Sequence, residues 1–385
     1  MKILHTSDWH FGMNIKMRSL LDDQEQFLEQ LYEIIKSENI GAVICAGDIY
    51  DSSVSGAAAI RLYSSAVRRI CIELRVPFIV IAGNHDSGAR LASHRELLEL
   101  AGYYVSGKLE RDIAPVLLDG GRTAVYPIPY FSVDEVRELF PEKSEEIRTM
   151  QDAFETVTES IRSRMDSSRF NCVVSHAFVT SAELCDSDRS AIVGTASAVS
   201  LDVFRNFDYV ALGHIHKPQQ LSVTVRYSGS PLKYSFGAEE KHEKQVVVVD
   251  TENHIQKTVP ITQPRERRTL SGTLSEIMSL SDFREDYLRI ELTDRLIDNA
   301  LSAEIKEKYP LCMELYGLSS AGRITEGSVS VSELSAMTDM DVLQRFFEKC
   351  GRPELLGERQ KKLFLEAAAA VDEALAAQDE LGHRE

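Results

Sequence analysis

The first 262 residues alternate short apolar runs of strand length with longer stretches of helical period. Lys2–Thr6, Ala42–Ala46 and Pro77–Ala82 read as strands. Between the first two, Leu21–Lys36 places Phe27, Leu28, Leu31, Ile34 and Ile35 on one face of a helix. Ala57–Leu74 and Arg90–Leu100 predict two more helices. After a looser middle come a helix near Ile147–Met165 and strands at Cys172–Ser175, Tyr209–Leu212, Arg226–Tyr227 and Val246–Asp250. Strand–helix alternation followed by a strand-rich half predicts an α/β sandwich with its helices outside.

Pro260–Arg268, with two prolines and a basic cluster, reads as a linker. Beyond it a strand at Tyr287–Leu292, a helix at Asp298–Lys308 and a strand at Leu311–Tyr316 predict a small α+β domain. Asp339–Lys349 and Glu358–Ala377 predict two C-terminal helices. The pattern thus divides the chain into 1–262, 263–335 and 336–385.

Composition narrows the class without deciding it. Of 385 residues, 43% are hydrophobic and 27% charged, an ordinary balance for a chain that buries a core. The start has no apolar leader, and no run of about 18 apolar residues reads as a membrane span, so a cytoplasmic protein is expected. Cys45, Cys71, Cys172, Cys185, Cys312 and Cys350 form no CxxC pair and read as reduced, buried thiols. A net charge of −17 argues against a simple cationic nucleic-acid binder. Residues 1–268 hold 30 basic and 37 acidic side chains and residues 269–385 hold 13 and 23, so the acidic excess is concentrated in the last third.

The chemistry gathers at strand ends. Asp8-Trp9-His10, Gly47-Asp48-Ile49-Tyr50-Asp51, Gly83-Asn84-His85-Asp86, Ser175-His176 and Gly213-His214-Ile215-His216 each follow a predicted strand. In open α/β sheets the C-terminal strand ends form one rim where ligand sites collect. Carboxylate, imidazole and amide oxygen together suit Mn²⁺, Fe²⁺ or Zn²⁺. A carboxylate such as Asp48 can bridge two such ions, and a pair of them activates water for in-line displacement at phosphorus. Each motif alone is commonplace: Asp-x-His arises by chance, Gly-Asp marks turns, and a lone strand histidine is more often core than ligand. Five in order, each at a strand end, are not.

Together these motifs resemble the signature of the calcineurin-like metallophosphoesterases over the first two-thirds of the chain. The resemblance implies a four-layer α/β/β/α sandwich with a small α+β capping domain and C-terminal helices. It implies one metal held by Asp8, His10, Asp48 and His216, and another held by Asp48, Asn84, His176 and His214. It makes His85 the catalytic histidine at the departing oxygen, a role suited to an imidazole, and Asp51 the group that orients it. Within the superfamily, the start of the chain, Gly213–Pro218 and Tyr227–Phe236 are similar to the SbcD family of nuclease subunits. That similarity implies two divalent ions, most often Mn²⁺, and DNA as substrate, cut as a double-strand exonuclease and a single-strand or hairpin endonuclease in repair and recombination. It also implies an SbcC-type ATPase partner gripped by the C-terminal helices, and a homodimer through the nuclease domain.

Three other readings compete. A nucleotide or cyclic-nucleotide phosphoesterase would need neither the small domain nor the tail. A protein phosphatase would carry an arginine after Asp51, where this chain has Ser52. A scaffold without metals would have lost ligands, yet all seven positions are filled. Arg18, Arg90 and Arg95 follow motifs on rim loops and are expected to position phosphates; Arg265, Arg267 and Arg268 read as solvated linker charges. His5 reads as a strand residue near the site and His94 as a helix-surface residue, while Phe346 and Phe347 serve either a partner or their own core.

Overall fold

The computed structural model describes residues 1–16, 18–185, 187, 188, 198–318 and isolated positions 344, 357, 359–362 and 364. Apart from those isolated positions, the expected C-terminal helices, with Phe346 and Phe347, lie outside the described residues.

In chain order the main body contains β1 (Lys2–Thr6), α1 (Leu21–Ser37), β2 (Ala42–Cys45), α2 (Ala57–Val67), β3 (Phe78–Ile81), β4 (Tyr103–Ser106), β5 (Val116–Leu118) and β6 (Thr123–Ile128). It continues with α3 (Val133–Leu139), α4 (Met150–Arg162), β7 (Phe170–His176), β8 (Tyr209–Gly213), β9 (Gln219–Gln220), β10 (Val225–Tyr227), β11 (Gln245–Asp250) and β12 (Ile255–Pro260). These strands make two six-stranded sheets, ordered β12-β11-β1-β2-β3-β4 and β9-β10-β8-β7-β6-β5. The two sheets pack face to face. Strand alternation explains how: Ile3 points to the core between the sheets while its neighbour Leu4 points to the helices. Ile44, Ile79, Val174, Ala211 and Val247 complete the inner layer. Phe27, Leu31 and Tyr63 cover the outer face of the first sheet, and Phe154, Val157 and Ile161 that of the second. The result is the four-layer α/β/β/α sandwich that the sequence led us to expect.

After β12, a third sheet forms from β13 (Arg267–Gly272), β14 (Tyr287–Leu292) and β15 (Cys312–Tyr316), all parallel and in sequence order. Its crossovers are α5 (Leu274–Ser279), opened by a Thr273–Glu276 capping box, and α6 (Asn299–Lys308), capped by Asp298. Leu288, Ile290 and Leu292 face these helices. The opposite face, carrying Arg267, Tyr287 and Arg289, turns toward the main body.

The structure differs from the pattern in three places. The helix expected over Arg90–Leu100 is two short helices, Gly88–Leu91 and Arg95–Glu99, because His94 is left-handed (φ 63°) and interrupts the backbone ladder. Leu97 and Leu100 stay exposed, so no core face draws that stretch into one helix. The looser middle contains β4 to β6, which are short strands of mixed polarity. Arg267 is withdrawn from solvent, and Arg265 is half-buried. Arg265 pairs with Asp23, and Arg267 is 2% exposed, stacks on Phe236 and Tyr287, and donates to the Lys233 carbonyl. Arg268 pairs with Asp286 at 2.6 Å.

Candidate metal centre

The first sheet ends in loops that leave the ordinary backbone regions. Asp8, His10 and Asp48 all have positive φ (54°, 44° and 50°), as does Gly47 (90°). Such conformations are costly for residues with side chains and persist where surroundings fix them. Here the loops after β1 and β2 are bonded to each other: Asp8 N donates to Gly47 O, His10 N to Asp48 O and Phe11 N to Ile49 O, at 3.0, 3.0 and 2.8 Å. Gln24, from α1, donates to the Trp9 and His10 carbonyls. Asp86 closes the arrangement by accepting from the backbone N–H groups of Ile49, Tyr50 and Gly83. Gly47 cannot be larger, since a Cβ there would meet His176 Nδ1 at 2.5 Å.

The second sheet delivers His176 from the end of β7, and His214 and His216 from the turn after β8, where His214 also has a positive φ (97°). Gly213 pairs in register with His176 on adjacent parallel strands, so His214 and His176 emerge side by side. Their rings meet the first sheet's donors. His176 Nε2 lies 2.9 Å from Asn84 Oδ1, and His214 Nδ1 lies 3.0 Å from Asn84 Oδ1 and 3.3 Å from His176 Nε2. On the other side, His10 Nε2 lies 3.1 Å from His216 Nε2. One oxygen, Asp48 Oδ2, is 3.3 Å from His176 Nε2 and 3.7 Å from His10 Nε2, within reach of both groups. Asp8 is held by Ser7 Oγ at 2.6 Å and by His214 N at 2.9 Å.

This crowding is what a cation site requires. Donors roughly 2.1 Å from one ion and at right angles to each other are about 3 Å apart. Asp8, His10 and His216 form one compact group of potential ligands, and Asp8, Asp48 and His176 another. The residues present therefore fit two divalent cations.

The balance of charge among the protein groups agrees. Burial holds His10 well below its ordinary value despite the pull of Asp48, and burial together with His176 brings His214 down to about 3. Both rings are neutral, with lone pairs to offer. Burial pushes the Asp8 carboxyl up to about 6, against the pull of His176 and His216. Burial would also raise Asp48, but His176 beside it outweighs that and holds the carboxylate ionised. Burial draws the His176 imidazolium down, yet Asp48 more than offsets this and lifts it to about 9. Two carboxylates and a cluster of buried imidazoles thus share one cavity, with the His10 and His214 rings holding their lone pairs free.

All seven expected ligands converge here, with His85 beside them. His85 N donates to Asp48 Oδ1, and the His85 and His10 rings meet edge to face at 4.9 Å. Asp51 meets His85 through its backbone. His85 Nδ1 faces the Asp51 backbone carbonyl at 2.9 Å, while the Asp51 carboxylate lies 3.9 Å from His10 Nδ1. The three arginines are not gathered at the centre. Arg18 donates to the Pro310 carbonyl, Arg90 to the Ser53 carbonyl, and Arg95 pairs with Glu110 at 2.7 Å. His5 is buried between the sheets, bonded to Tyr209 Oη and the Leu212 carbonyl; His94 is exposed. Two supporting residues had no role assigned from sequence. Asp86 stands within a strand-end motif that announces it only as a neighbour of His85, and no local signal marks Gln24.

Comparison with known proteins agrees with this geometry. The calcineurin-like phosphoesterase family model matches residues 1–218. The model described as Type 5 capsule protein repressor C-terminal domain matches residues 263–350, crossing the division expected at 335. The SbcD component of the nuclease SbcCD from Staphylococcus epidermidis is 31% identical over 355 residues, which cover 90% of this chain and 93% of that protein. A solved structure from Thermus thermophilus shares 13% identity, with 68% of this chain and 99% of that one covered, at a TM-score of 0.40. Yfce, a phosphoesterase from E. coli, shares 11% identity over 68% of this chain and all of its own, at a TM-score of 0.26. With both family models on one chain and a relative matching nearly end to end, the chain belongs to the SbcD family of calcineurin-like phosphoesterases, metal-dependent hydrolases of phosphodiester bonds.

Proposed function

We propose that this chain is the nuclease subunit of a DNA-processing complex, working with two divalent ions, Mn²⁺ foremost, and an SbcC-type ATPase. The observation that carries the reading is the position of Asp48 Oδ2, within reach of both donor groups. Asp8, His10, Asp48 and His216 would hold one ion, and Asp48, Asn84, His176 and His214 the other. When bound, the ions supply Lewis-acid neutralisation of phosphoryl charge and activation of water.

The chain's own residues do the rest. Asp48 fixes the spacing of the two sites and, through the His85 N–H, the position of the catalytic histidine. His85, tied by Nδ1 to the Asp51 carbonyl, keeps Nε2 for proton delivery to the departing 3′ or 5′ oxygen. Asp51 acts here through its main chain. Arg18, Arg90 and Arg95 would contact phosphates away from the scissile bond.

The same reading has exonuclease action on duplex ends and endonuclease action on single strands and hairpins, in the cytoplasm. Residues 1–262 form the nuclease unit, 263–335 the cap over the DNA, and 336–385 the grip on the ATPase. Homodimerisation is supported by Val54, Ile60, Ile72, Leu97 and Leu100, which leave an apolar surface exposed on and around the helices between β2 and β4. Among the described residues, no helix is long and apolar enough to cross a membrane.

The test is a Mn²⁺-titrated assay on linear duplex and hairpin DNA, with and without the ATPase subunit. Mn²⁺-dependent cleavage of both is expected. Hydrolysis confined to nucleotides or cyclic nucleotides would overturn the reading.

A further inference from the structure

The ligand histidines differ in what holds the ring nitrogen turned away from the cluster. His176 Nδ1 faces the Ala46 carbonyl at 2.8 Å, an ordinary backbone tie. His10 Nδ1 has no hydrogen-bond partner among the described residues. His216 is held differently. Its Nδ1 lies 2.8 Å from Ser187 Oγ, and that hydroxyl donates onward to Glu239 Oε2 at 3.0 Å. Glu239 in turn pairs with Lys244 Nζ at 2.6 Å, both side chains fully buried. Lys244 Nζ also donates to the His216 carbonyl at 2.9 Å, and His216 N donates to Asp188 Oδ1 at 2.9 Å. Ring, N–H and C=O of one residue are therefore all fixed, by side chains from two separate segments.

The hydrogens along this chain run one way. An ionised carboxylate only accepts, so Ser187 gives its proton to Glu239 and accepts from His216 Nδ1–H. The lone pair then sits on Nε2, the atom 3.1 Å from His10 Nε2. A buried ion pair gains little net stability once its desolvation is counted, so stability alone does not account for Glu239 and Lys244 at this place. Their position behind one ligand does, because outer partners set the tautomer and basicity of a metal-binding imidazole.

We infer that Ser187 and Glu239 are positioning residues that set the tautomer of His216 and, through it, the affinity of the cation held by Asp8, His10 and His216. This rests on the metal-centre reading above. The test uses the full chain as wild type, Ser187→Ala and Ser187→Thr, with two readouts. One is Mn²⁺ titration by calorimetry; the other is the ¹⁵N shifts of the His216 ring, recorded without metal. Ser187→Ala is expected to weaken one of two Mn²⁺ equivalents about tenfold or more, leaving the other unchanged. It should also move the ring from pure Nδ1–H to a tautomer mixture, and Ser187→Thr should restore both. Should Ser187→Ala fail to fold, Ser187→Thr against Ser187→Val gives the same contrast at constant shape. A ring that stays Nδ1–H with both equivalents at wild-type affinity overturns the inference. Uptake of fewer than two equivalents by the wild type would instead strike the metal-centre reading, and the ¹⁵N shifts would still decide the role of Ser187.

Discussion

The two sheets of the sandwich supply the centre in different ways. The first contributes both carboxylates, the amide and His85 from loops whose backbone is left-handed at Asp8, His10 and Asp48. The second contributes imidazoles from the ends of two registered parallel strands, with His216 one step beyond. Strand ends in register bring His176 and His214 together, and there only His214 takes a positive φ (97°). The first sheet must bend its chain sharply to turn short carboxylates back toward the rim, and it carries a supporting set of hydrogen bonds for that purpose. One side is placed mainly by strand register with a single strained residue, the other by three strained residues held in check by their bonded loops.

The sharpest way to break this contrast is Asp48→Ala. The bridging oxygen belongs to the first sheet alone, so its loss should remove both ions and lower turnover by more than about 10³-fold, the upper end for removal of a single electrostatic contributor. His214→Ala, on the second sheet, should retain one Mn²⁺ equivalent by calorimetry. Equal loss from both variants would erase the distinction.

Next in size, His85→Asn should reduce cleavage about 10²–10⁴-fold, the range for a lost general acid. Mn²⁺ uptake should remain at two equivalents, since no ligand changes. Full activity would remove His85 from the mechanism.

Asp86→Ala probes the supporting set. It leaves three backbone N–H groups without their acceptor, so the urea unfolding free energy should fall by about 3 kcal/mol. A stability unchanged by this substitution would mean the strained loops do not depend on that carboxylate.

The smallest effect concerns the tie between the sheets. Burial lowers His5 from 6.5 to about 3, with Tyr209 Oη and the Leu212 carbonyl as its partners on the second sheet. The unfolded chain therefore binds a proton that the folded one refuses. Stability from this residue is complete above pH 6.5 and is lost as pH falls toward 3. Between pH 7.5 and 5.5 the loss is about 1.4 kcal/mol. His5→Gln, compared with wild type over that interval, should lack this share of the slope in its urea midpoint.

Much of the site was legible because strand–loop motifs are local. Asp8-x-His10, Gly47-Asp48 and His214-x-His216 declare themselves by residue type and by the apolar run before them. Asp86 was visible but mute, since its three partners become neighbours only when the loops after β2 and β3 meet. The strands between residues 103 and 128 were hidden because Tyr103–Ser106 and Val116–Leu118 are short and irregular in polarity. The linker arginines misled for a related reason: a charge run with two prolines reads as solvent-facing until Asp23, Phe236 and Tyr287 are folded against it.

By itself, then, the sequence determined the strand–helix alternation, the donor atoms and their places at strand ends, because apolar periodicity and turn chemistry act over a few residues. Only the tertiary structure decided which oxygen reaches both donor groups, that Asp51 meets His85 through its carbonyl, and that a buried acid–base pair stands behind His216. Those outcomes depend on distances between remote segments, such as those of His10 and His216, 206 positions apart, and such distances are set by how two sheets pack, not by any local pattern.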